Sequence, residues 1–77
     1  MKGTVVKLNY HKQYVFIAGD DQTNYFSHFG NFEDAFLPCD ESLIGQRVAF
    51  DSSPGLPGKA PRALNVTRPN FVPEAMP

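Results

Sequence analysis

Apolar and polar residues alternate in five short stretches of the chain, and a period of two is typical of half-buried β-strands. The stretches are rich in β-branched and aromatic side chains and are separated by turn-forming residues. A helical period does not persist over three turns, and Pro38 would interrupt a helix in the long connection at residues 30–45. The predicted strands are residues 4–10, 14–18, 24–29, 47–51 and 63–67.

Five short strands indicate an all-β fold, and a small barrel is the arrangement that best removes exposed strand edges. A chain of 77 residues is one domain with a thin core, too short for a Rossmann fold or a TIM barrel. Residues 52–58 have the composition of a loop. Prolines recur in residues 69–77, so we predict a domain at 1–68 followed by a tail or linker.

The alternation gives the predicted strands two different faces. Tyr14 and Phe16 share one face of the second strand, and Phe26 and His28 share one face of the third. The aliphatic residues suit a core better, which would leave the rings facing solvent. Periodicity alone also allows these rings to be core aromatics. The aliphatic set is Val5, Val15, Ile17, Val48 and Val66.

Composition and charge change this picture in two ways. Seven Phe and three Tyr are more rings than a thin core easily hides, so some are expected on the surface. The net charge of −1 is not that of an obvious nucleic-acid binder. Charge is nevertheless uneven, with +3 in residues 1–19, −6 in residues 20–45 and +2 in residues 46–77. A basic face can therefore exist on a nearly neutral chain.

Residues that could carry chemistry are sparse. Cys39 is the single cysteine, so no internal disulfide forms, and with His11 and His28 it makes no zinc set. Asp20 and Asp21 follow a glycine and are expected to form a turn rather than a metal site. We predict no enzymatic activity, cofactor, metal or small-molecule substrate. Without an apolar span or signal region, we expect a cytoplasmic protein that does not contact membranes.

Several segments, in order, resemble the cold-shock domain family. Residues 2–5, Asn9 and residues 12–17 resemble its start, including its first RNP motif, and residues 25–29 resemble the second. The family's last two strands and their connection resemble residues 45–51, 55–58 and 61–66. The resemblance covers about residues 2–68. It implies a five-stranded antiparallel OB-fold barrel that binds single-stranded RNA or DNA by stacking bases on the RNP aromatics.

The chain departs from the family pattern at several positions. Lys7 and Leu8 align with the family's Trp and Phe of the first strand, so two stacking rings are missing. Gln13 and Val15 replace both glycines of the first RNP motif, and Tyr25 replaces the first valine of the second. These changes imply altered sequence preference, weaker binding or another use of the face. Tyr10 is a possible substitute platform.

The resemblance and the predicted faces together give a candidate site. We predict single-stranded nucleic-acid binding with an RNA-chaperone or gene-regulatory role, by a monomer or weak dimer. The alternatives are a protein-interaction or dimerisation module with a decayed nucleic-acid face, or an N-terminal module of a longer protein. The stacking candidates are Tyr14, Phe16, Phe26, His28, Phe29 and Phe36, and the phosphate candidates are Lys7, Lys12, Lys59 and Arg62.

Overall fold

The fold is given by a computed structural model that describes residues 1–55 and 57–70. In these residues the chain forms five strands, and two short 3₁₀ turns lie in the connection between the third and the fourth. The strands are β1 (Lys2–Asn9), β2 (Tyr14–Gly19), β3 (Asn24–His28), β4 (Arg47–Ser53) and β5 (Arg62–Thr67), and the turns are Phe29–Asn31 and Glu41–Leu43.

The strands close into a barrel in the order β1-β2-β3-β5-β4. This confirms the all-β barrel predicted from the strand count and from the resemblance. One detail is corrected: β3 and β5 run parallel, whereas the other neighbouring strands described are antiparallel. This follows from the other pairings: β4 is antiparallel to β1 and β5 is antiparallel to β4, so β5 runs in the same direction as β1 and β3. The predicted tail falls mostly on residues 71–77, outside the described residues.

The barrel interior is built from the aliphatic set that the alternation assigned to it. Val5, Val15, Ile17, Val48 and Val66 are all completely buried, which confirms that prediction. Two rings complete the core, Tyr25 and Phe50, with centroids 4.9 Å apart. Leu37 and Leu43 of the β3–β4 connection are also buried, so this connection closes one end of the core instead of lying loose over it.

A β-bulge in β1 decides which way Lys7 points. Val5 lies opposite Ile17 on β2, but Lys7, two residues later, lies opposite the next residue of β2, Phe16. The extra residue is Val6, which is 51% exposed. Strict alternation would turn Lys7 to the same side as Val5, into the core. The bulge shifts the phase by one residue, so Lys7 is exposed.

The turn between β1 and β2 contains a strained residue. Gln13 has a φ of 58°, a left-handed conformation that glycine adopts without steric cost. Gln13 occupies one of the two positions at which the first RNP motif of the cold-shock domain family has a glycine. The other, Val15, is buried in the core. The turn is tied to the next hairpin by a hydrogen bond from the Phe29 N–H to the Gln13 carbonyl (2.9 Å).

Gln13→Gly is expected to raise the stability of the barrel. The left-handed conformation costs a residue with a Cβ about 1–2 kcal/mol, while glycine loses about 0.5–1 kcal/mol through the entropy of the unfolded chain. The net gain is therefore about 0.5–1 kcal/mol, or several degrees in Tm for a domain of this size. Thermal melts measure it. Gln13→Ala keeps the Cβ and serves as the control, and an equal gain in both variants would contradict the strain argument.

Candidate nucleic-acid interface

Four rings form one cluster on the outer surface of β2 and β3. Phe26 is at its centre, with its ring centroid 5.1 Å from that of Tyr14, 5.7 Å from that of Phe16 and 5.4 Å from that of His28. Tyr14 and Phe16 are 5.6 Å apart, edge to face. The three apolar rings are half-buried and His28 is exposed. The prediction that these rings share a face outside the core is confirmed by this arrangement.

The strand register extends this cluster into a row of four side chains. Lys7 on β1 lies opposite Phe16, Phe16 lies opposite Phe26, and Phe26 lies beside Arg62 on β5. We call these four residues the cross-strand row. Two flat rings are thus flanked by a cation on either side. Base stacking on aromatics combined with cationic contacts to phosphates is how single-stranded nucleic acid is held without sequence readout.

A groove with a volume of about 410 Å³ opens at the Arg62 end of the row. Lys59 reaches it from the β4–β5 loop, so two of the predicted phosphate contacts meet three of the predicted stacking rings. Ala60 adds a small side chain to the wall, a position that the sequence analysis did not single out. The residues lining the groove are Phe16, Phe26, His28, Lys59, Ala60 and Arg62.

We call the outer surface of β2 and β3 that carries the ring cluster the ring face. Four of the six acidic residues of the middle segment serve the fold elsewhere. In the described strands β2 and β3, the residues facing outward with Phe16 and Phe26 include no carboxylate. Asp20, past the far end of β2 from Tyr14, binds Arg47 through two hydrogen bonds of 2.7 Å. The Arg47 hydrogen bonds hold the pKa of the Asp20 carboxyl below its ordinary value.

Two more aspartates shape turns. The Asp21 carboxylate accepts a hydrogen bond from the Tyr25 hydroxyl (2.5 Å), which lowers the pKa of Asp21 and raises that of Tyr25. It also accepts from the Thr23 N–H (3.1 Å), which is the turn predicted at this position. Asp40 caps the second 3₁₀ turn by accepting hydrogen bonds from the Ser42 hydroxyl and the Ser42 backbone N–H, and these bonds lower the pKa of Asp40.

Three predicted site residues lie apart from the ring cluster. Phe29 begins a 3₁₀ turn after β3, and its half-buried ring packs against the core beside Phe32, with centroids 5.6 Å apart. Lys12 is exposed in the β1–β2 turn, where its N–H donates to the Asn9 side chain (3.0 Å). Phe36 stands in the β3–β4 connection and is 79% exposed.

Two residues beside the cluster had only a weak sequence signal. The Asn9 amide donates to the Tyr14 hydroxyl at 3.4 Å, which steadies the ring at the edge of the cluster. Tyr10 follows in the turn, 65% exposed, with its ring centroid 6.4 Å from that of His11. The register of β1 against β2 brings Asn9 opposite Tyr14, and this long-range pairing cannot be read from either strand alone.

Asp34 anchors the β3–β4 connection to the end of β5. Its side chain is completely buried and forms an ion pair with Arg68, whose N–H also donates to it (3.1 Å). A third hydrogen bond comes from the Phe36 N–H (3.0 Å). Burial alone would raise the pKa of Asp34, but these three hydrogen bonds lower it below its ordinary value.

Asp34→Asn is expected to destabilise the barrel by about 1–3 kcal/mol near neutral pH, because the substitution removes the charge of a buried carboxylate that accepts three hydrogen bonds. A lowered folded-state pKa means that the ionised carboxylate stabilises the fold above its unfolded-state pKa of about 3.9. This contribution is lost as the pH falls through the folded-state value. Melting curves of both proteins should therefore differ at pH 7 and converge below about pH 4. A constant difference across that range would contradict the assignment.

The described residues offer little for a metal site, a membrane span or a reactive thiol. Residues 1–55 and 57–70 contain no group of three or more His, Cys, Asp or Glu side chains that could hold a metal ion. The same residues include no helix with the length and apolar character needed to cross a membrane. Cys39 is exposed, and its pKa is raised by partial burial and by Asp40, which disfavours the reactive thiolate.

Comparison with known proteins gives two relatives from one bacterium. Cold shock protein 2 of Lactiplantibacillus plantarum is 40% identical over 65 residues, which span 83% of this chain and 91% of that protein. Cold shock protein 1 of the same organism is 38% identical over 65 residues, with the same shares covered. A scan against protein-family profiles finds no match. Both relatives are matched over nearly their whole length.

Proposed function

The chain belongs to the cold shock protein family, and on that footing we propose that its ring face binds single-stranded nucleic acid. The observation that carries this proposal is the cross-strand row, in which Phe16 and Phe26 lie side by side between Lys7 and Arg62. The rings offer stacking surfaces to unpaired bases, and the cations offer contacts to phosphates on both sides.

Each group in the proposed site has one role. Tyr14, Phe16, Phe26 and His28 stack on bases. The groove takes a base or sugar, and Lys59 and Arg62 in its wall contact the adjoining phosphates. Lys7 and Lys12 contact the backbone on the β1 side. Phe29, which packs partly on the core, contributes through its exposed edge. The proposed activity is binding without covalent chemistry.

The cellular consequence would follow from competition with base pairing. A protein that stacks on unpaired bases stabilises the open strand relative to weak hairpins, which is the action of an RNA chaperone. A gene-regulatory role would use the same face. The fold reads RNA and DNA strands by features they share, the base faces and the phosphates, so both are proposed as ligands.

Titration of labelled oligo-dT, oligo-U and a duplex of equal length tests the proposal. Bases in a duplex hide their faces in their own stack, so the protein should bind both single strands more tightly than the duplex. With four phosphate contacts, from Lys7, Lys12, Lys59 and Arg62, the logarithm of the affinity should fall with the logarithm of salt concentration with a slope of about −3. Fluorescence anisotropy gives both quantities.

The competing function makes a different prediction in the same experiment. A protein-interaction or dimerisation module would show no binding to any of the three ligands at high micromolar concentration, or equal binding to all. Either result would favour the protein-interaction or dimerisation module over nucleic-acid binding. Sedimentation at the same concentrations would then show whether a second copy of the chain occupies the ring face.

A further inference from the structure

Phe36 is an exposed ring held in place by polar partners. The guanidinium carbon of Arg68 lies 5.1 Å from the centroid of the Phe36 ring, within the range of a cation–π contact. The same Arg68 is ion-paired with the buried Asp34, which also accepts a hydrogen bond from the Phe36 N–H. One carboxylate thus binds both the backbone that carries the ring and the side chain that covers one of its faces.

Apolar burial does not account for the position of this ring. Leu37, the next residue, is buried in the core, and so is Leu43 at the end of the connection, whereas Phe36 is 79% exposed. Arg68 is itself fixed by its place directly after β5, and its N–H also donates to Asp34. The ring is therefore attached to the barrel wall through the Asp34–Arg68 pair, with much of its surface open to solvent.

Phe36 is already one of the predicted stacking residues. We propose that Asp34 and Arg68 are positioning residues that hold its ring in place as an outlying stacking platform. The inference rests on the proposed function, since it assumes a single strand on the ring face. Fixing the ring before binding removes part of the entropy cost of ordering a loop side chain on the ligand.

The length of β5 determines how long a nucleic-acid strand must be to reach Phe36. Arg62 belongs to the cross-strand row, and Arg68 lies six residues further along the chain, up to about 20 Å at the usual strand rise. A strand that only covers the row would not extend to Phe36. Binding sites of OB folds range from about 4 to 16 nucleotides, so both short and long ligands are accessible to experiment.

The test is a double-mutant cycle measured with oligo-dT of about 4 and about 10 nucleotides. Phe36→Ala should weaken binding of the long strand by about fivefold or more and leave the short strand unaffected. Arg68→Ala should also weaken only the long strand, and it should add nothing in the Phe36→Ala background. Asp34→Asn, measured well below its melting transition, should show the same dependence on length. Thermal melts verify that each variant is folded.

Three results would overturn the proposal, and each identifies a different step that fails. If Arg68→Ala weakens binding equally with and without Phe36, Arg68 contacts a phosphate and does not act through the ring. If Phe36→Ala leaves the long strand unaffected while Phe26→Leu weakens both strands, the platform is absent and the proposed function stands. If the unaltered protein binds neither strand, both proposals fall.

Discussion

Phe26→Leu is expected to leave the barrel folded while weakening single-strand binding by about fivefold or more. Phe26 is the centre of the ring cluster, in contact with Tyr14, Phe16 and His28. Leucine keeps the apolar surface that these neighbours cover but removes the flat ring on which a base stacks. Each stacked base contributes about 1–3 kcal/mol, which corresponds to about 5- to 150-fold in affinity. Leucine is preferred to alanine because the ring is half-buried by its neighbours.

Ile17→Ala is the matched core variant, one residue along β2 from Phe16 and on the opposite face. Ile17 is completely buried, so truncation is expected to cost about 2–5 kcal/mol. A domain of this size has little more stability than that to lose. Thermal melts and oligonucleotide titrations on both variants separate the two faces. An unfolded Phe26→Leu beside a stable Ile17→Ala would mean that the faces are inverted.

The sequence predicted the core and the ring face well because both depend on alternation within single strands. In β2 the period of two is unbroken, and Val15 and Ile17 are buried while Tyr14 and Phe16 face outward. The predicted positions of the strand ends were less accurate. The third strand was expected to include Phe29, but the structure ends β3 at His28 and turns Phe29 toward the core in a 3₁₀ turn.

Features that depend on pairing between strands could not be predicted from the sequence pattern of a single strand. The bulge at Val6 changes the phase of β1, and alternation alone would have placed Lys7 inside. Only the resemblance, which aligned Lys7 with an outward-facing Trp, assigned it to the surface. The parallel pairing of β3 with β5, which sets Arg62 beside Phe26, has no local signal either.

The acidic composition of residues 20–45 gave no indication that Asp34 has a structural role. In the sequence it is one of six acids in a segment with a charge of −6, and such segments are usually solvated. Its partner Arg68 is 34 positions away, and the ion pair exists because the β3–β4 connection runs beside the end of β5, where Phe32 bridges Val66. A buried, fully hydrogen-bonded carboxylate can be identified only once this long-range contact is known.

Lys7→Trp is expected to tighten single-strand binding, and it tests the bulge and the cross-strand row together. Lys7 faces outward opposite Phe16, so an indole there would extend the stacking surface across β1. The added ring is expected to contribute up to about 1–3 kcal/mol, less what the lost cation contributed. Titration at fixed salt measures the gain, and the indole supplies a fluorescence signal in a chain that has no Trp.

Lys7→Ala is the control that separates the ring from the charge. It removes one phosphate contact without adding a stacking surface, so binding should weaken modestly and the salt slope should become shallower by about 0.7. Lys7→Trp should show the same shallower slope together with tighter binding, because it too lacks the cation. If neither variant alters affinity while Phe26→Leu does, Lys7 does not face the ligand. The nucleic acid would then lie on β2, β3 and β5, with Arg62 and Lys59 as its cationic contacts.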